Sequence, residues 1–462
     1  MSLDPWFLAG FLATLGLLLW LAGSRADKVR DRADFTLAGR RAGSWQVSGA
    51  ILGTLVGGAS TVGTVQLAFL HGLSAWWFTL GAGLACLFLG LFLAKPLRHA
   101  EVETIPQFIA RYHGERVRKT ASLFSALGMF LHIVAQLLAA AAILSTLFGL
   151  SLKQGALAAA LAVAFITWRG GMPGAGTLGL AKLFFLYLCM VGAGGVAWHL
   201  SGGLSGLRTH FAPFPWFSLF GYGTAAGLSD LLSMLVGVLS TQTYLQAVFS
   251  ARDARTARRG ALLSAALIPP LGLFGISVGL YMRRSMPDLD SARALPEFLL
   301  NHMPAGFAGP AFAALLIAAL ATAAGLTLGV GTTLRGDLLA ARCFGRHELL
   351  LSRLLTLAAV LLALGLVLVN LGSAIMAWSF LSMGLRGATL YLPLLAAVFL
   401  GARTSKRGGA LAIWLAPPTV ILVGLLETPP APPLFFGLAA ALLAYALGLL
   451  LERRFGRNES LS

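Results

Sequence analysis

The segment that decides the fold is residues 53–66, which read GTLVGGASTVGTVQ. Paired glycines, hydroxyl side chains and a glutamine occupy the middle of an apolar stretch at residues 46–70. Glycine and β-branched residues weaken an α-helix, and an unwound backbone is tolerated in a membrane only where protein or water satisfies its polar groups. The segment favours a discontinuous membrane helix, with a gap at residues 57–63 that offers carbonyl oxygens to a cation. A close-packed helix crossing, which also uses Gly and Ser, is the alternative.

The composition of the whole chain places this segment in a membrane protein. Hydrophobic residues make up 58% of the 462 residues and charged residues only 11%, with a mean hydropathy of +0.83. A soluble chain is about a quarter charged. These values exclude a soluble enzyme, a disordered protein and a nucleic-acid-binding domain, despite the net charge of +17. The 55 glycines are typical of closely packed membrane helices.

Thirteen apolar stretches are predicted to be membrane spans, each of which needs roughly 20 mostly apolar residues. They lie at residues 5–23, 46–70, 74–94, 120–148, 155–168, 178–201, 225–249, 261–282, 307–331, 351–370, 372–400, 409–427 and 432–450. A basic run follows the first stretch instead of preceding it, so we expect a retained span and not a secretory signal. The predicted fold class is an all-α polytopic membrane protein with a single membrane domain.

The basic residues indicate how the chain threads the membrane. If the N-terminus is outside, 28 of the 34 Lys and Arg residues fall in cytoplasmic loops or the C-terminal tail, Lys182 among them in a loop at 169–182. Five fall on the outer side, and Arg386 lies within a span. Basic residues concentrate in cytoplasmic loops. The pattern predicts a protein of the cell membrane, plasma or bacterial inner, with its N-terminus outside and its C-terminus in the cytoplasm.

Several polar side chains within the spans need a partner or a function. Gln242 and Gln246, and likewise His132 and Gln136, are four residues apart and face one side of a helix. Arg386 lies about half-way along an apolar segment, where a guanidinium is costly to bury. It could hold a substrate carboxylate bidentately, neutralise carbonyls at a helix break, or snorkel towards water.

Acidic residues are missing from the middle of every predicted span. Asp230 and Glu427 lie near outer span ends, so proton coupling would need His132 or an unusual route. A cation held by carbonyl and hydroxyl oxygens, such as that of Thr322 in the ninth span, fits better. The isolated cysteines predict neither disulfides nor a metal site; they are Cys86, Cys189 and Cys343. No cofactor is expected beyond a coupling cation.

Four short motifs follow one another along the chain. They are DFTLAGR at 34–40, TIPQFIARY at 104–112, the glutamine-rich end of the seventh span with its basic loop at 240–259, and the Ala-rich ninth span that runs to Gly336 and Asp337. Through these motifs, residues 34–410 resemble the sodium:solute symporter family. The resemblance implies a LeuT-like core of two inverted five-helix repeats at 46–201 and 225–400. One extra N-terminal helix (5–23), two extra C-terminal helices (409–450) and a tail (451–462) complete the chain.

The resemblance also implies a sodium site between the second and ninth spans. Carbonyl oxygens and an adjacent hydroxyl pair form it, at positions Ala59, Val62, Ala318, Ala321 and Thr322. Ala321 departs from the family because it lacks the first hydroxyl. With this ligand missing, the site is expected either to bind sodium weakly or to recruit Ser60, Thr61 or water. A second sodium site is not expected, because Leu178 and Gly179 stand where the family has Thr-Asp, and Lys182 stands where Gln is usual.

Substrate contacts implied by the resemblance come from four core helices. They fall on Gln66, His132, Gln136, Thr241, Gln242 and Arg386. The family's Gln-Arg pair that closes the sixth core helix is here Gln246 and Ala247. Relatives carry sugars, amino acids, vitamins, monocarboxylates and nucleobase-like compounds, and Arg386 beside His132 favours a small carboxylate.

The predicted function is sodium-coupled symport of a small organic solute by alternating access, carried out by a monomer in the lipid bilayer without nucleic acid. A membrane receptor or regulator that kept this scaffold and lost tight ion coupling is the alternative. An intramembrane enzyme would need clustered His, Asp or Glu residues near one face, and the sequence has no such cluster.

Overall fold

The computed structural model describes residues 4–23, 40–102, 104–168, 175–334, 348–426 and 429–459. Within these ranges the chain is helical, and its only strand-like feature is an isolated parallel bridge between Ala42 and Ala251. Some residues named in the sequence predictions lie outside the described ranges. They are residues 34–39, residues 169–174 of the predicted loop, the pair at 336–337, Cys343, Glu427 and residues 460–462 of the tail.

The α-helices are numbered here in chain order. The first eleven are α1 (Pro5–Gly23), α2 (Ser44–Leu55), α3 (Thr64–His71), α4 (Trp77–Phe88), α5 (Ala94–His99), α6 (Ile105–His113), α7 (Glu115–Phe148), α8 (Leu152–Trp168), α9 (Ala175–Leu200), α10 (Gly203–Arg208) and α11 (Pro213–Trp216). The others are α12 (Thr224–Leu239), α13 (Gln242–Phe249), α14 (Ala254–Ser285), α15 (Ala294–His302), α16 (Ala305–Thr333), α17 (Glu348–Val369), α18 (Ile375–Leu400), α19 (Lys406–Gly424) and α20 (Pro433–Glu459). The shorter helical turns are Ala59–Gly63 and Leu89–Leu93 (both π), and Gly72–Trp76, Ser291–Arg293 and Gly401–Arg403 (all 3₁₀).

Each of the thirteen predicted spans overlaps one or more of these helices. In the described part of the chain, eight helices are long and apolar enough to cross a membrane, or nine if the bent pair α12 and α13 forms one span. Side chains such as Trp6, Leu362 and Leu443 are 76%, 65% and 72% exposed, as lipid-facing residues are. The all-α polytopic class is confirmed, whereas the number thirteen stays a prediction.

The second span is interrupted where its glycines predict a break. Helix α2 ends at Leu55, and Val56 leaves the helical region with φ −85° and ψ 89°. The hydroxyls of Ser60 and Thr61 both donate to the Gly57 carbonyl at 3.0 Å, and the backbone rewinds at once into the π-turn Ala59–Gly63. The interruption at residues 56–58 is shorter than the predicted gap at 57–63, because Gly58 already has helical backbone angles (φ −58°, ψ −39°) and residues 59–63 form the π-turn.

The seventh span is interrupted as well. Helix α12 ends at Leu239 and α13 begins at Gln242, with a bend of 43° between them. Ser240 and Thr241 have non-helical backbone angles at this point. Each half of the chain thus contains one broken span, and the division into two repeats stays a prediction.

Local sequence sets several helix ends. Helix α7 stops at Gly149, whose φ of 66° is a left-handed conformation that glycine adopts without strain. The Asp253 side chain accepts the Thr256 N–H at 2.7 Å and begins α14. Thr104 accepts the Gln107 N–H at 3.2 Å in the same way, so the motif at 104–112 becomes the short helix α6.

Helix α7 lies at the centre of the bundle. It packs against α8, α16 and α18, and it also touches the π-turn that follows the first interruption. Helix α14 packs against α2, α4 and α9. Both interrupted spans are consequently held inside the bundle, where protein groups satisfy their freed backbone.

A backbone bridge joins the two interrupted spans at one end of the bundle. The Ala42 N–H donates to the Ser250 carbonyl, and the Arg252 N–H donates to the Ala42 carbonyl, both at 3.1 Å. The Arg98 guanidinium reinforces this bridge by donating to the Ala251 carbonyl. The Ala42 bridge therefore connects the start of α2 to the end of α13.

Candidate functional site

The first interruption packs tightly against α7 and α16. A Cβ atom added at Gly57 would lie 3.0 Å from both Gln136 Oε1 and Thr322 Oγ1. At Gly58 it would lie 2.7 Å from the Ala319 methyl group. Glycine is required at 58, where a Cβ atom would overlap the methyl groups of Ala319 and Ala139, whereas at 57 a Cβ atom would make tight contacts with Gln136 and Thr322. The fold thus brings Gln136 and Thr322 to the broken backbone.

A short hydrogen-bond chain runs from the broken backbone into α7. The Gly58 N–H donates to Gln136 Oε1 at 3.0 Å, and Gln136 Nε2 donates to His132 Nε2 at 3.0 Å. His132 is 3% exposed, and among the described residues its Nδ1 has no hydrogen-bond partner. The predicted pair His132 and Gln136 therefore supports the break and leaves one buried imidazole nitrogen available.

Replacing Gln136 by leucine is expected to destabilise the folded protein by about 1–3 kcal/mol, because the Gly58 N–H would remain buried without an acceptor. The melting temperature of the purified protein measures the loss. Gln154→Leu, which removes an exposed glutamine at the start of α8, is the matched control. Equal melting temperatures for Gln136→Leu and the control would contradict this role.

The residues that the resemblance implies for sodium lie on the two elements that meet at the break. Ala59 and Val62 belong to the buried π-turn, and Ala318 is fully buried in α16. Thr322, one turn further along α16, is 8% exposed and lies beside Gly57. Ala321 supplies no side-chain oxygen. The assignment of these positions to sodium stays a prediction.

Lys182 is not a loop residue, contrary to its place in the predicted loop at 169–182. Helix α9 begins at Ala175, so Lys182 lies within it and is only 3% exposed. Its Nζ donates to the Gly53 carbonyl at 2.6 Å and to Thr322 Oγ1 at 3.3 Å. The loop assignment failed because the hydropathy pattern places the start of the span at residue 178. A lysine so close to that start is therefore assigned to the adjoining loop.

Arg386 is deeply buried in α18, which runs without a break from Ile375 to Leu400. It is 1% exposed, and its Nε and Nη2 donate to the carbonyl and hydroxyl of Ser382 at 3.2 and 2.8 Å. A Cβ atom at Gly128 would lie 2.4 Å from Arg386 Cγ, so the arginine stem crosses that glycine. Burial excludes snorkelling, and the continuous helix excludes a role at a break in α18.

The charge of Arg386 lacks an acidic partner among the described residues, since no carboxylate there lies within ion-pair distance of the guanidinium. Its hydrogen-bond acceptors are the neutral oxygen atoms of Ser382 and the Met383 sulfur at 3.4 Å. A buried cation with such neighbours gains more from binding an anion than a solvated cation does. Binding of a solute carboxylate and neutralisation of carbonyls at a break in another span both stay predictions.

Two further predicted substrate residues already have structural partners. Gln66 Oε1 accepts the Ile375 N–H at 2.8 Å and so holds the start of α18. Gln242 Oε1 accepts the Ile105 N–H at 2.8 Å at the start of α6. Their side chains are committed to these backbone groups, and their substrate role stays a prediction.

Two serines that sequence analysis missed belong to the candidate site. Ser240 lies in the second interruption and Ser379 in α18, both are fully buried, and neither hydroxyl has a hydrogen-bond partner among the described residues. The neighbouring Thr241 instead donates to the Gly237 carbonyl at 2.6 Å. Serines in membrane helices usually bond to a carbonyl one turn back, so nothing in the sequence distinguishes these two.

A cavity of about 290 Å³ lies between α3, α12 and α18. Its lining includes His71, Tyr222 and Asp230, together with Phe380, the neighbour of Ser379. The Tyr222 hydroxyl donates to the Asp230 carboxylate. The rest of its lining is mostly apolar, and neither Ser240, Ser379 nor Arg386 belongs to it.

Comparison with known proteins bears on the family and the fold. The sequence model of the sodium:solute symporter family matches residues 35–203. The uncharacterized symporter YwcA of Bacillus subtilis is 28% identical over 163 residues, which are 35% of this chain and 32% of that protein. The resemblance to the sodium:solute symporter family is thereby confirmed. The matched segment spans about a third of the length of the curated relative.

Solved structures match nearly the whole chain. A Na⁺-coupled sialic acid symporter in a substrate-bound outward-open state has a TM-score of 0.75 at 16% identity, over 97% of this chain and 98% of that one. The nucleobase-cation-symport-1 family transporter MHP1, closed with bromovinylhydantoin bound, has a TM-score of 0.59 at 13% identity, over 92% and 96%. These matches confirm the LeuT-like fold. The proteins named here are symporters and transporters, in line with the expectation that the chain is not an enzyme.

Proposed function

We propose that this chain is a secondary active transporter that carries a small organic solute together with Na⁺ by alternating access. The observation that carries the proposal is the break at residues 56–58, which meets Thr322 and Gln136 inside the bundle. A broken helix of this kind exposes backbone oxygens to a cation and leaves two half-helices that can move separately. The fold and the family resemblance support the same conclusion.

The solute would bind between α7, α18 and the second interruption. Arg386 supplies the positive charge, while His132 Nδ1 and the hydroxyls of Ser240 and Ser379 supply unused hydrogen-bonding capacity. Buried polar groups without partners are costly unless something binds them. A small carboxylate with additional polar groups would satisfy the guanidinium and these three atoms together.

Ser379→Ala is expected to weaken solute binding about tenfold, on the order of one lost hydrogen bond. The melting temperature without solute should stay at the wild-type value, because the Ser379 hydroxyl has no partner to lose. Ser382→Ala is the matched control, since it loses bonds to the Gly128 carbonyl and to Arg386 and should melt earlier. Radioligand binding and thermal melting measure the two effects; wild-type affinity in Ser379→Ala would remove this residue from the site.

Sodium would bind where the π-turn meets α16. Carbonyl oxygens of Ala59, Val62 and Ala318 and the hydroxyl of Thr322 would form its ligand set, with water in place of the hydroxyl that Ala321 lacks. Oxygen ligands of this kind suit hard cations. The membrane potential then adds about 2.3 kcal/mol per charge per 100 mV to the driving force.

Reconstituted vesicles test the proposal. A screen of small carboxylates by sodium-dependent thermal stabilisation of the purified protein identifies a ligand, because ligands that bind only the folded state raise its melting point. An inward Na⁺ gradient should then drive accumulation of that ligand inside vesicles above its external concentration. A choline gradient of the same size is the control, and no accumulation under either gradient would refute transport.

The receptor or regulator alternative is favoured by one observation, namely that Thr322 is already bonded to a cationic side chain and Ala321 offers no second hydroxyl. A receptor would bind its ligand in the same thermal assay but would not accumulate it in vesicles. The uptake measurement therefore separates the two functions.

Topology and cellular context form part of the same proposal. The repeats at 46–201 and 225–400 would rock against each other within one membrane domain. The protein would be a monomer in the plasma membrane or the bacterial inner membrane. Its N-terminus would lie outside the cell and its C-terminus in the cytoplasm. Cysteine labelling from each side of the membrane tests the orientation.

A further inference from the structure

Lys182 occupies a position that is unusual for a lysine. It lies in the membrane-spanning part of α9, and its ammonium group bridges Gly53, in the helix before the break, and Thr322, in α16. Its acceptors are a carbonyl oxygen at 2.6 Å and a hydroxyl oxygen at 3.3 Å. These are the ligand types that hard metal cations use.

The ammonium group has no acidic partner in the described part of the chain. The residues there contain no carboxylate within ion-pair distance of Lys182. A buried charge must be compensated, because transfer out of water is expensive. Here neutral oxygen dipoles provide the compensation, as they would for a metal ion.

Thr322 is the only side-chain oxygen at the predicted hydroxyl pair, because residue 321 is alanine. Na⁺ and the ammonium group would both need this one hydroxyl. Two cations that share a ligand in a poorly screened interior repel each other strongly. The two occupants therefore exclude each other.

We propose that Lys182 is a tethered cation that competes with Na⁺ for Thr322, so that Na⁺ binds only after the ammonium group leaves the hydroxyl. The inference rests on the proposed sodium coupling and specifies how that site is controlled. Because the competitor is attached to α9, its effective concentration at the site is high and does not depend on the protein concentration. Lys182 thereby raises the Na⁺ concentration at which the site is half-saturated.

The test measures the melting temperature of the purified full-length protein as NaCl replaces choline chloride at constant ionic strength and fixed pH. In Lys182→Met, which removes the charge without adding an oxygen ligand, the half-saturating Na⁺ concentration should fall about tenfold or more relative to wild type. Lys182→Arg keeps a permanent charge and should stay at or above the wild-type value. Lys153→Met, at an exposed lysine in α8, should leave it unchanged.

An unchanged or higher half-saturating Na⁺ concentration in Lys182→Met, with a normal response in wild type, overturns the inference and leaves sodium coupling intact. If Lys182→Met does not fold, Lys182→Gln replaces it in the test. Because the glutamine oxygen could itself bind Na⁺, the double variant Lys182→Gln with Thr322→Ala measures that contribution. The absence of a sodium response in every folded variant, wild type included, refutes the proposed coupling itself and this inference with it.

Discussion

Arg386→Lys is expected to lower the affinity for the transported solute by about 30-fold or more, on the order of 2 kcal/mol. Lysine cannot reproduce the planar fork that holds a carboxylate by two parallel bonds. The guanidinium is also oriented by Ser382, which accepts from both Nε and Nη2. A lysine ammonium would lose that orientation while the position stays buried at 1% exposure. Equilibrium binding of the radiolabelled solute to the purified variant measures the change.

A comparison of the acid with its neutral amide separates charge recognition from folding. Wild type should strongly prefer the acid, and Arg386→Lys should lose most of that preference even if the variant is less stable. Arg208→Lys is the matched control, because Arg208 is an exposed arginine at the end of α10. A full acid preference in Arg386→Lys would mean that the arginine is structural and that the case for a carboxylate substrate fails.

Thr322→Ala should raise the Na⁺ concentration for half-maximal uptake by roughly 30-fold, again on the order of 2 kcal/mol. Because residue 321 is already alanine, Thr322 supplies the one hydroxyl of the predicted pair. Its removal leaves only backbone oxygens and water as ligands. Thr322→Ser keeps the hydroxyl and should remain close to wild type. Initial uptake rates over a range of NaCl concentrations in proteoliposomes measure both variants.

Thr327→Ala is the control for this helix. Thr327 is also buried in α16, and its hydroxyl donates only to the Ala323 carbonyl one turn back. Its replacement should leave sodium dependence unchanged. If Thr322→Ala shows the sodium dependence of Thr327→Ala, the ion binds elsewhere and the site at the break has been misplaced.

The sequence was sufficient to predict the class of fold and the place of the first break. Glycines at 57 and 58 signal a break because they both weaken a helix and allow close contact, and the structure uses them for both purposes. The hydropathy pattern also located helices at all thirteen predicted spans. These features are local, so a single sequence carries them.

Partners in the site could not be predicted in this way, because they depend on which helices meet. Lys182 reads as a loop cation until α9 is seen to start at Ala175 and to place it against Thr322. Gln242 is predicted to contact the solute, and the sequence does not show that its side-chain Oε1 accepts the Ile105 N–H. Ser379 reads as an ordinary helix serine, and only the lack of a partner distinguishes it.

The Ala42 bridge has a mechanical consequence. It fastens the segment before the first interruption to the segment after the second, through backbone bonds that do not depend on side chains. Because the bridge joins them, α2 and α13 are expected to rotate as one rigid unit about the two hinges, which lie at residues 56–58 and 240–241. Opening of the transporter towards the side of the membrane that carries the Ala42 bridge then requires both hinges to bend together. This opening is therefore expected to be all-or-none.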